Sequence, residues 1–590
     1  MKARFEAFPR DKVQLLDGEF KRRFDVNRYY LMSLSSDALT FNHRLEAVLD
    51  QLTKPAEHTG WEDPGCQIRG HFLGHWLSAA ARIWASTGDV EIKAKADAIV
   101  AALAKCQEQN GDGWVFSIPE KYLEKAVRKQ RVWAPHYVLH KTLMGLVEMH
   151  TLAGNAQALD VLVKAADWFH KWTKQFSRDE MDDILDYETG GMLEAFADLY
   201  AVTGDRKHRA LIERYDRRRL FDPLARGEDV LSLRHANTMI PEIYGAARAA
   251  EVLAAQGAED DRFRTIATKF WDAVVPSRMY ATGGHTHGEA WSKPNELAGT
   301  LVEQNQELCT AYNMMWLTKT LFRWTGDPKY ADYYERNLIN GILSAQHPET
   351  GMITYYHAFK TGGVKKWGSR TADFWCCYGT GVQANAEYPN AIYFHAGDTL
   401  VINLLTASRV EWDGLTLTQQ TVYPENGKAT ITVEKAAKGK PPTGRRTILV
   451  RVPWWAPKKA TISVNGQAQS GLKPSSYCEI ARTWKAGDTI EIDYPMTLSA
   501  APMPDDKNLV AAMYGPMVLA GLTDGDAKRH GDAQRRPDTP IKGDPAKPAS
   551  WLKQLDGLRF RTKGQPTDLD FIPMWQVINQ RFGIYFRVTA

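Results

Sequence analysis

Between about residues 26 and 390 apolar side chains recur every three or four positions, and past 390 they recur every second one. The first spacing predicts amphipathic helices. Stripes such as Phe72, Leu73, Trp76, Leu77, Ala80, Ile83 and Leu139, Leu143, Leu146, Val147 mark their core-facing sides. The periodic stretches close in Thr-Gly-Asp or a near variant, at Thr87-Gly88-Asp89, Ala153-Gly154-Asn155, Thr203-Gly204-Asp205 and Thr325-Gly326-Asp327, with a looser version around Gly257. Glycine supplies a left-handed C-cap and Asp or Asn opens the next helix, so each copy marks a helix-to-helix turn. Hairpins repeating at roughly fifty to seventy residues predict a toroid of paired helices, an (α/α)6 barrel whose loops build a cleft at one end.

Past 390 the alternating runs Thr399–Leu405, Leu415–Val422, Ala429–Val433, Arg446–Val452, Ala460–Val464 and Thr489–Tyr494 predict strands, and Asn465-Gly466 a tight hairpin. The fold class expected is multidomain α plus β. Segment 1–25 contributes a strand to the β domains, 26–390 forms the barrel, 391–500 a jelly-roll-like β-sandwich and 501–590 a second sandwich. A long exposed loop is expected near 523–550, where Gly, Pro, Asp, Lys and Arg crowd without periodicity.

A chain of 590 residues exceeds one hydrophobic core, in keeping with several domains. Its 74 basic and 70 acidic residues leave a net charge of +4, and no basic run is interleaved with aromatics, which argues against nucleic acid. The 19 Trp and 23 Tyr point instead to a carbohydrate, whose faces suit flat amphipathic rings. No stretch is long and apolar enough to span a bilayer, and Met1 to Phe20 lacks the apolar run of a secretory signal. The chain therefore reads as soluble without a membrane partner, cytoplasmic as it stands and periplasmic where a signal peptide has been removed. The oligomeric state stays open, a dimer among the alternatives.

Of six cysteines, three lie in two short segments: Glu307-Leu308-Cys309 and the vicinal pair of Phe374-Trp375-Cys376-Cys377-Tyr378-Gly379. Three thiolates and a carboxylate make a closed tetrahedral set, for which Zn2+ is the matching ion. With the shell filled, any chemistry falls to a ligand, and a zinc-bound cysteine in such an anionic set keeps electron density on sulfur. Glu307 and Cys309 fall at the first turn of a helix running to Trp324, where the helix dipole favours negative charge. Cys376 and Cys377 need a turn, helped by Gly379 and Gly381, to reach one ion. Spacing alone suits a staple between loops as well as a catalytic centre. Cys66, Cys106 and Cys478 are scattered and suggest no disulfide framework. His71 and His75, four apart on an apolar helix, lack a third ligand and read as core residues. A thiolate nucleophile also needs an acid, and Glu289, beside glycines and near Trp291, sits where a raised carboxyl pKa is expected.

The succession Gly-Gly-x-x-x-Gly-Glu at 283–289, Glu-x-Cys at 307–309 and Trp-Cys-Cys at 375–377 resembles the β-L-arabinofuranosidases of glycoside hydrolase families 127 and 146. Matching segments span most of the chain: Leu15-Leu16-Asp17-Gly18, Gly60-Trp61-Glu62, Arg69 to His75, Trp133 to Tyr137, Leu139-His140-Lys141, His235 to Thr238 and Tyr330 to Arg336. The resemblance implies an (α/α)6 barrel with β-sandwich domains and retaining hydrolysis, with Cys376 as nucleophile, Glu289 as acid/base, and Glu307, Cys309, Cys376 and Cys377 on zinc. It places His140 and His235 near the furanose hydroxyls, with Trp61, Glu62, His136 and Asn237 as further candidates, a structural role competing at each histidine. Many similar chains carry an acidic residue near Gln383, which leaves the precise specificity open. The implied activity is exo-release of terminal β-L-arabinofuranose from a plant-type glycan. The alternatives are another furanoside, such as a branched acidic pectin sugar, and a non-catalytic carbohydrate-binding scaffold with a structural zinc.

Overall fold

The computed structural model describes residues 3–50, 56–258, 261–435, 444–523 and 540–589. Among the described residues sixteen α-helices lie between Glu19 and Asn385, and six of them close a ring. His71–Thr87 packs on Pro135–Thr151, which is followed around the ring by Met192–Thr203, Met239–Ala255, Leu308–Thr325 and Cys376–Asn385, the last returning to His71–Thr87. A second helix backs each of these, for instance Val90–Asn110 behind the first and Ala156–Thr173 behind the second. The inner helices are buried on nearly every side, every residue from His71 to Ile83 included, which is why their sequences are apolar almost all round.

The Thr-Gly-Asp turns follow directly from local chemistry. Gly88, Gly204 and Gly326 adopt φ of 71°, 64° and 69°, which costs glycine nothing. Asp89, Asp205 and Asp327 each accept a backbone N–H of the following helix. The threonine completes the device: Thr203 Oγ1 donates to the carbonyl of Leu199 at 2.9 Å and accepts the Asp205 N–H at 3.3 Å.

Past Tyr393 the chain builds a five-stranded and a seven-stranded sheet whose buried residues join one continuous core. The N-terminal segment adds an edge strand to each, Glu6–Ala7 on Tyr393–Ala396 and Val13–Leu15 on Ser408–Trp412. Asn465 and Gly466 take φ of 50° and 76° between Thr461–Val464 and Gln467–Ala468, the two left-handed positions of a tight hairpin. Arg451 ties this region to helix Pro328–Asn337, 2.6 Å from both Asp332 Oδ1 and Glu335 Oε1.

Strands from Leu498 onward join a single nine-stranded sheet. One of its faces packs on Tyr280, Ala281, Leu297 and Phe359, and the Tyr585 hydroxyl accepts the Ala281 N–H at 2.7 Å, bracing the segment that leads to Glu289. Most of the loop expected over 523–550 lies outside the described residues. Its described end is partly ordered into Ile541–Lys542, a strand parallel to Tyr585–Thr589. No described helix is long and apolar enough to cross a membrane.

Candidate active site

Residues from the first two turns of neighbouring inner helices meet one another, which gathers the helix N-termini at one end of the ring. His71 lies beside Tyr137 with ring centroids 5.4 Å apart, His140 Nε2 is 3.2 Å from Glu194 Oε2, and Cys309 Sγ is 3.2 Å from Cys377 Sγ. Positive helix ends concentrated in this way favour anionic side chains.

A small antiparallel sheet delivers the rest of the site. Its strands Ala290–Trp291, Thr286–His287, Asn305–Glu307 and Tyr356–His357 lie in that order. Gly288 and Glu289, with φ of 51° and 65°, form the two-residue turn between the first two. Non-glycine residues with positive φ recur next to the site: Ala134 before His136, Leu233 before His235, Glu289 itself, Gln306 before Glu307 and Phe374 before Cys376. Such backbone is disfavoured for these residue types and persists where the surroundings impose it.

Glu307, Cys309, Cys376 and Cys377 are buried with their ligand atoms all within 4.8 Å of one another, a group able to hold a metal ion. Glu307 is the N-cap of Leu308–Thr325, as its spacing predicts. Cys376 and Cys377 do not sit in a turn, contrary to expectation: they open the helix Cys376–Asn385. Gly379 and Gly381 serve packing instead, since a Cβ on Gly379 would come within 2.2 Å of His75 Cδ2. All six cysteines are free thiols.

The donor set fits a soft divalent cation. Glu307 Oε2 is buried without a hydrogen-bond partner among the described residues, an arrangement costly for a carboxylate unless a cation meets it. Burial and the nearby Cys376 charge push Glu307 well up, and burial does the same to Cys309 and Cys377. Cys376 moves the other way, held well below the usual thiol range by hydrogen bonds from Cys309 and Cys377. Burial thus opposes ionisation of Glu307, Cys309 and Cys377, and ionising all four ligands calls for a positive ion. Thr380 Oγ1 lies 3.1 Å from Cys309 Sγ and orients it from behind.

Glu289 lies across Tyr355 from Cys376. The Tyr355 hydroxyl donates to Glu289 Oε1 at 2.5 Å and lies 3.4 Å from Cys376 Sγ, while Tyr356 donates to the same carboxylate oxygen at 2.6 Å. His235 Nε2 is 3.3 Å from Oε2. The expected upward pKa shift is reversed: His235, then Tyr355 and Tyr356, hold Glu289 down at about 2, outweighing burial. Hydrogen bonds to the ionised form dominate because the carboxylate faces three donors rather than an apolar wall.

Residues 12–390 match the model of the GH127 β-L-arabinofuranosidase catalytic domain, and residues 399–496 that of the GH127 middle domain. The chain belongs to the GH127 β-L-arabinofuranosidase family. It is 25% identical over 509 residues to a non-reducing end β-L-arabinofuranosidase of Bifidobacterium longum subsp. longum, a match covering 75% of this chain and 74% of that protein. Two solved structures share the fold at 19% identity. A GH127 β-L-arabinofuranosidase from Geobacillus stearothermophilus T6 superposes with a TM-score of 0.74 over 98% of this chain and 100% of its own. A GH127 β-arabinofuranosidase named BT3674 does so with 0.77 over 100% and 98%. This GH127 member is accordingly a glycoside hydrolase, and its partner is a glycan substrate.

The other residues expected to bind sugar separate in the fold of this GH127 member. Trp61 is half-buried, its ring 4.8 Å from Trp133 and 6.3 Å from Tyr355, so it walls the site. Asn237 Oδ1 accepts from Asn313 Nδ2 at 2.8 Å. His140 is buried, its Nε2 3.2 Å from Glu194 Oε2 but outside hydrogen-bond geometry and its Nδ1 without a partner among the described residues. Glu62 and His136 are bound up in the scaffold. Glu62 accepts the N–H groups of Gly70 at 2.6 Å and Phe72 at 2.9 Å, capping the first inner helix. His136 meets Glu188 through Nδ1 at 2.7 Å and the Tyr215 hydroxyl through Nε2 at 3.3 Å. His71 and His75 form no metal pair: both ring nitrogens of His75 are taken by Gln383 and Tyr137. Sequence reasoning missed Tyr355, Tyr356, Tyr137 and Glu194, whose partners are brought in by tertiary packing alone.

Proposed function

We propose that this GH127 hydrolase removes terminal β-L-arabinofuranose from plant-type glycans with retention of configuration, Cys376 acting as nucleophile and Glu289 as acid/base in a cleft atop an (α/α)6 barrel. One observation carries the reading. Tyr355 touches both groups, which caps the separation of the Glu289 oxygen and the Cys376 sulfur at about 6 Å, close to the roughly 5–5.5 Å of retaining pairs and short of the wider inverting spacing.

In the first half of the reaction Cys376 sulfur attacks the anomeric carbon while Glu289, protonated once the bound sugar draws away the donors that hold its carboxylate down, gives its proton to the departing glycosidic oxygen. The product is a thioglycosyl bond to Cys376. Glu289, now a carboxylate, takes a proton from water, whose oxygen attacks the same carbon as the C–S electron pair returns to sulfur. Tyr355 donates to Glu289 while that group is ionised, and its proton becomes available to sulfur once Glu289 is protonated. A zinc ion held by Glu307, Cys309, Cys376 and Cys377 would keep the sulfurs anionic at neutral pH and ease the return of charge to Cys376. His140, His235, Asn237 and Trp61 would line the sugar, while Glu62 and His136 position the loops around it.

A second reading, an acidic furanoside, is favoured by Lys141. Its ammonium is buried beside the Tyr137 ring, 5.3 Å from the centroid, and burial lowers its pKa, so a substrate carboxylate would relieve it. Turnover of an aryl β-L-arabinofuranoside beside a carboxylated furanoside separates the two. The mechanism itself is tested by exposing the protein to a furanose-directed cyclophellitol-type epoxide and mapping peptides by mass spectrometry. The label is expected on Cys376; a label on a carboxylate instead overturns the assignment.

A further inference from the structure

A row of hydrogen bonds that the proposed reaction does not use runs from Tyr137 beside the site into the helical ring, and its direction is fixed from the far end. Arg82 grips both oxygens of Glu148, Nε to Oε2 at 2.7 Å and Nη2 to Oε1 at 2.5 Å, so these oxygens act as acceptors. Ser78 therefore donates its hydroxyl proton to Oε2 at 2.8 Å, and its own oxygen accepts from Gln383 Nε2 at 2.7 Å. That turns the Gln383 amide oxygen towards His75 Nδ1, 2.6 Å away, and the nitrogen must carry a hydrogen. Burial holds His75 well below the usual imidazole range, so the ring is neutral and Nε2 is bare. Among the described residues the group facing Nε2 is the Tyr137 hydroxyl at 3.1 Å, which gives it the O–H proton.

Tyr137 stands at the edge of the site, its ring 5.4 Å from that of His71, which lies 6.1 Å from Trp61. It is half-buried on the first turn of its helix, and burial raises its pKa, so it keeps its proton. We infer that Gln383 is a positioning residue that sets the polarity of Tyr137: with its proton committed to His75, Tyr137 offers the sugar only oxygen lone pairs, and so selects a furanoside with a free hydroxyl able to donate there. The identity of the sugar rests on the proposed function; the placement of the protons does not.

A carboxylate at this position would reverse the row. In Gln383→Glu the side chain can only accept, His75 gains a second proton, Nε2–H donates to Tyr137, and the phenol proton turns out into the cleft. A site built to accept a substrate O–H rejects an analogue without one, and a site offering a donor does not.

Two measurements decide the matter. Neutron diffraction of the wild-type protein is expected to show deuterium on His75 Nδ1 alone and the Tyr137 O–D aimed at His75 Nε2. Deuterium on Nε2 in the wild type overturns the inference whatever the substrate proves to be. The second compares kcat/KM for an aryl β-L-arabinofuranoside and its 2-, 3- and 5-deoxyfluoro analogues, where dividing wild type by variant cancels the electronic effect of fluorine. At one position the wild type is expected to discriminate about tenfold more strongly than Gln383→Glu and Tyr137→Phe. Equal discrimination at all three positions in wild type and Tyr137→Phe, a variant that keeps the ring packing, also sinks it. A wild type inactive on the parent arabinofuranoside counts against the proposed function, and the neutron map still decides the proton row.

Discussion

Cys376→Ser is expected to lower turnover of an aryl β-L-arabinofuranoside by about 10⁴-fold or more while leaving a folded protein. The size follows from the chemistry of the atom replaced. A serine hydroxyl stays protonated at neutral pH, whereas Cys376 is held well below the ordinary thiol range by the hydrogen bonds of Cys309 and Cys377. Folding is spared because Glu307, Cys309 and Cys377 remain to hold an ion and serine nearly matches cysteine in volume. Cys309→Ser is the contrasting variant. It removes a fully buried ligand without touching the proposed nucleophile, so metal content and activity should fall together. Metal per chain by elemental analysis, read beside kcat, separates the cases. If Cys376→Ser retains turnover within tenfold of wild type, sulfur is not the nucleophile; if neither wild type nor variant turns over any furanoside, the cluster is a structural staple.

What could be read from the sequence follows how local each interaction is. The Thr-Gly-Asp turns were legible because threonine, glycine and aspartate each satisfy a backbone group within five residues, as at Thr203-Gly204-Asp205. The ligand cluster was legible because three cysteines and a glutamate crowded into two short segments form a soft donor set that core packing does not require. Strands Ser408–Trp412 and Ser476–Arg482 carry a weaker signal, since their alternation is confined to short runs in which only Arg409, Glu411 and Glu479 face fully outward. Tyr355 and Tyr356 left no signal at all: their hydroxyls meet Glu289 across 66 and 67 residues of chain.

The two departures at the site share a cause. Adjacent cysteines on a strand point apart and would need a turn, but in the first turn of a helix they diverge less and the facing helix brings Cys309 to meet them. For Glu289, glycines and an aromatic flank the residue in sequence and suggest a raised pKa. In the fold its neighbours are His235 and two phenols, and donors outweigh burial. Similarly, Glu62 and His136 stand in segments that resemble sugar-binding motifs, yet the backbone and Glu188 take their hydrogen-bonding capacity.

Glu289→Gln should cost about 10² to 10⁴-fold in kcat on glycans with poor leaving groups, and less in the first step on activated aryl glycosides, which depart without an acid. The second step still lacks its base, so an aryl substrate is expected to give a burst of phenol and leave one pentosyl residue on Cys376, visible by intact-protein mass spectrometry. The pH behaviour has a definite sign. Glu289 is depressed to about 2 with His235 the largest cause, so its network stabilises the folded protein fully above the ordinary value near 4.5 and loses that contribution as pH falls towards 2. Over that window the wild-type unfolding midpoint should drop more steeply than that of Glu289→Gln. Removing the main cause, in His235→Asn, lets the Glu289 pKa climb back, and the limb of kcat/KM that falls as Glu289 loses its proton should then begin at higher pH. An unmoved limb in His235→Asn, or a Glu289→Gln variant that shows neither burst nor covalent adduct, would leave Glu289 as a ligand of His235 and nothing more.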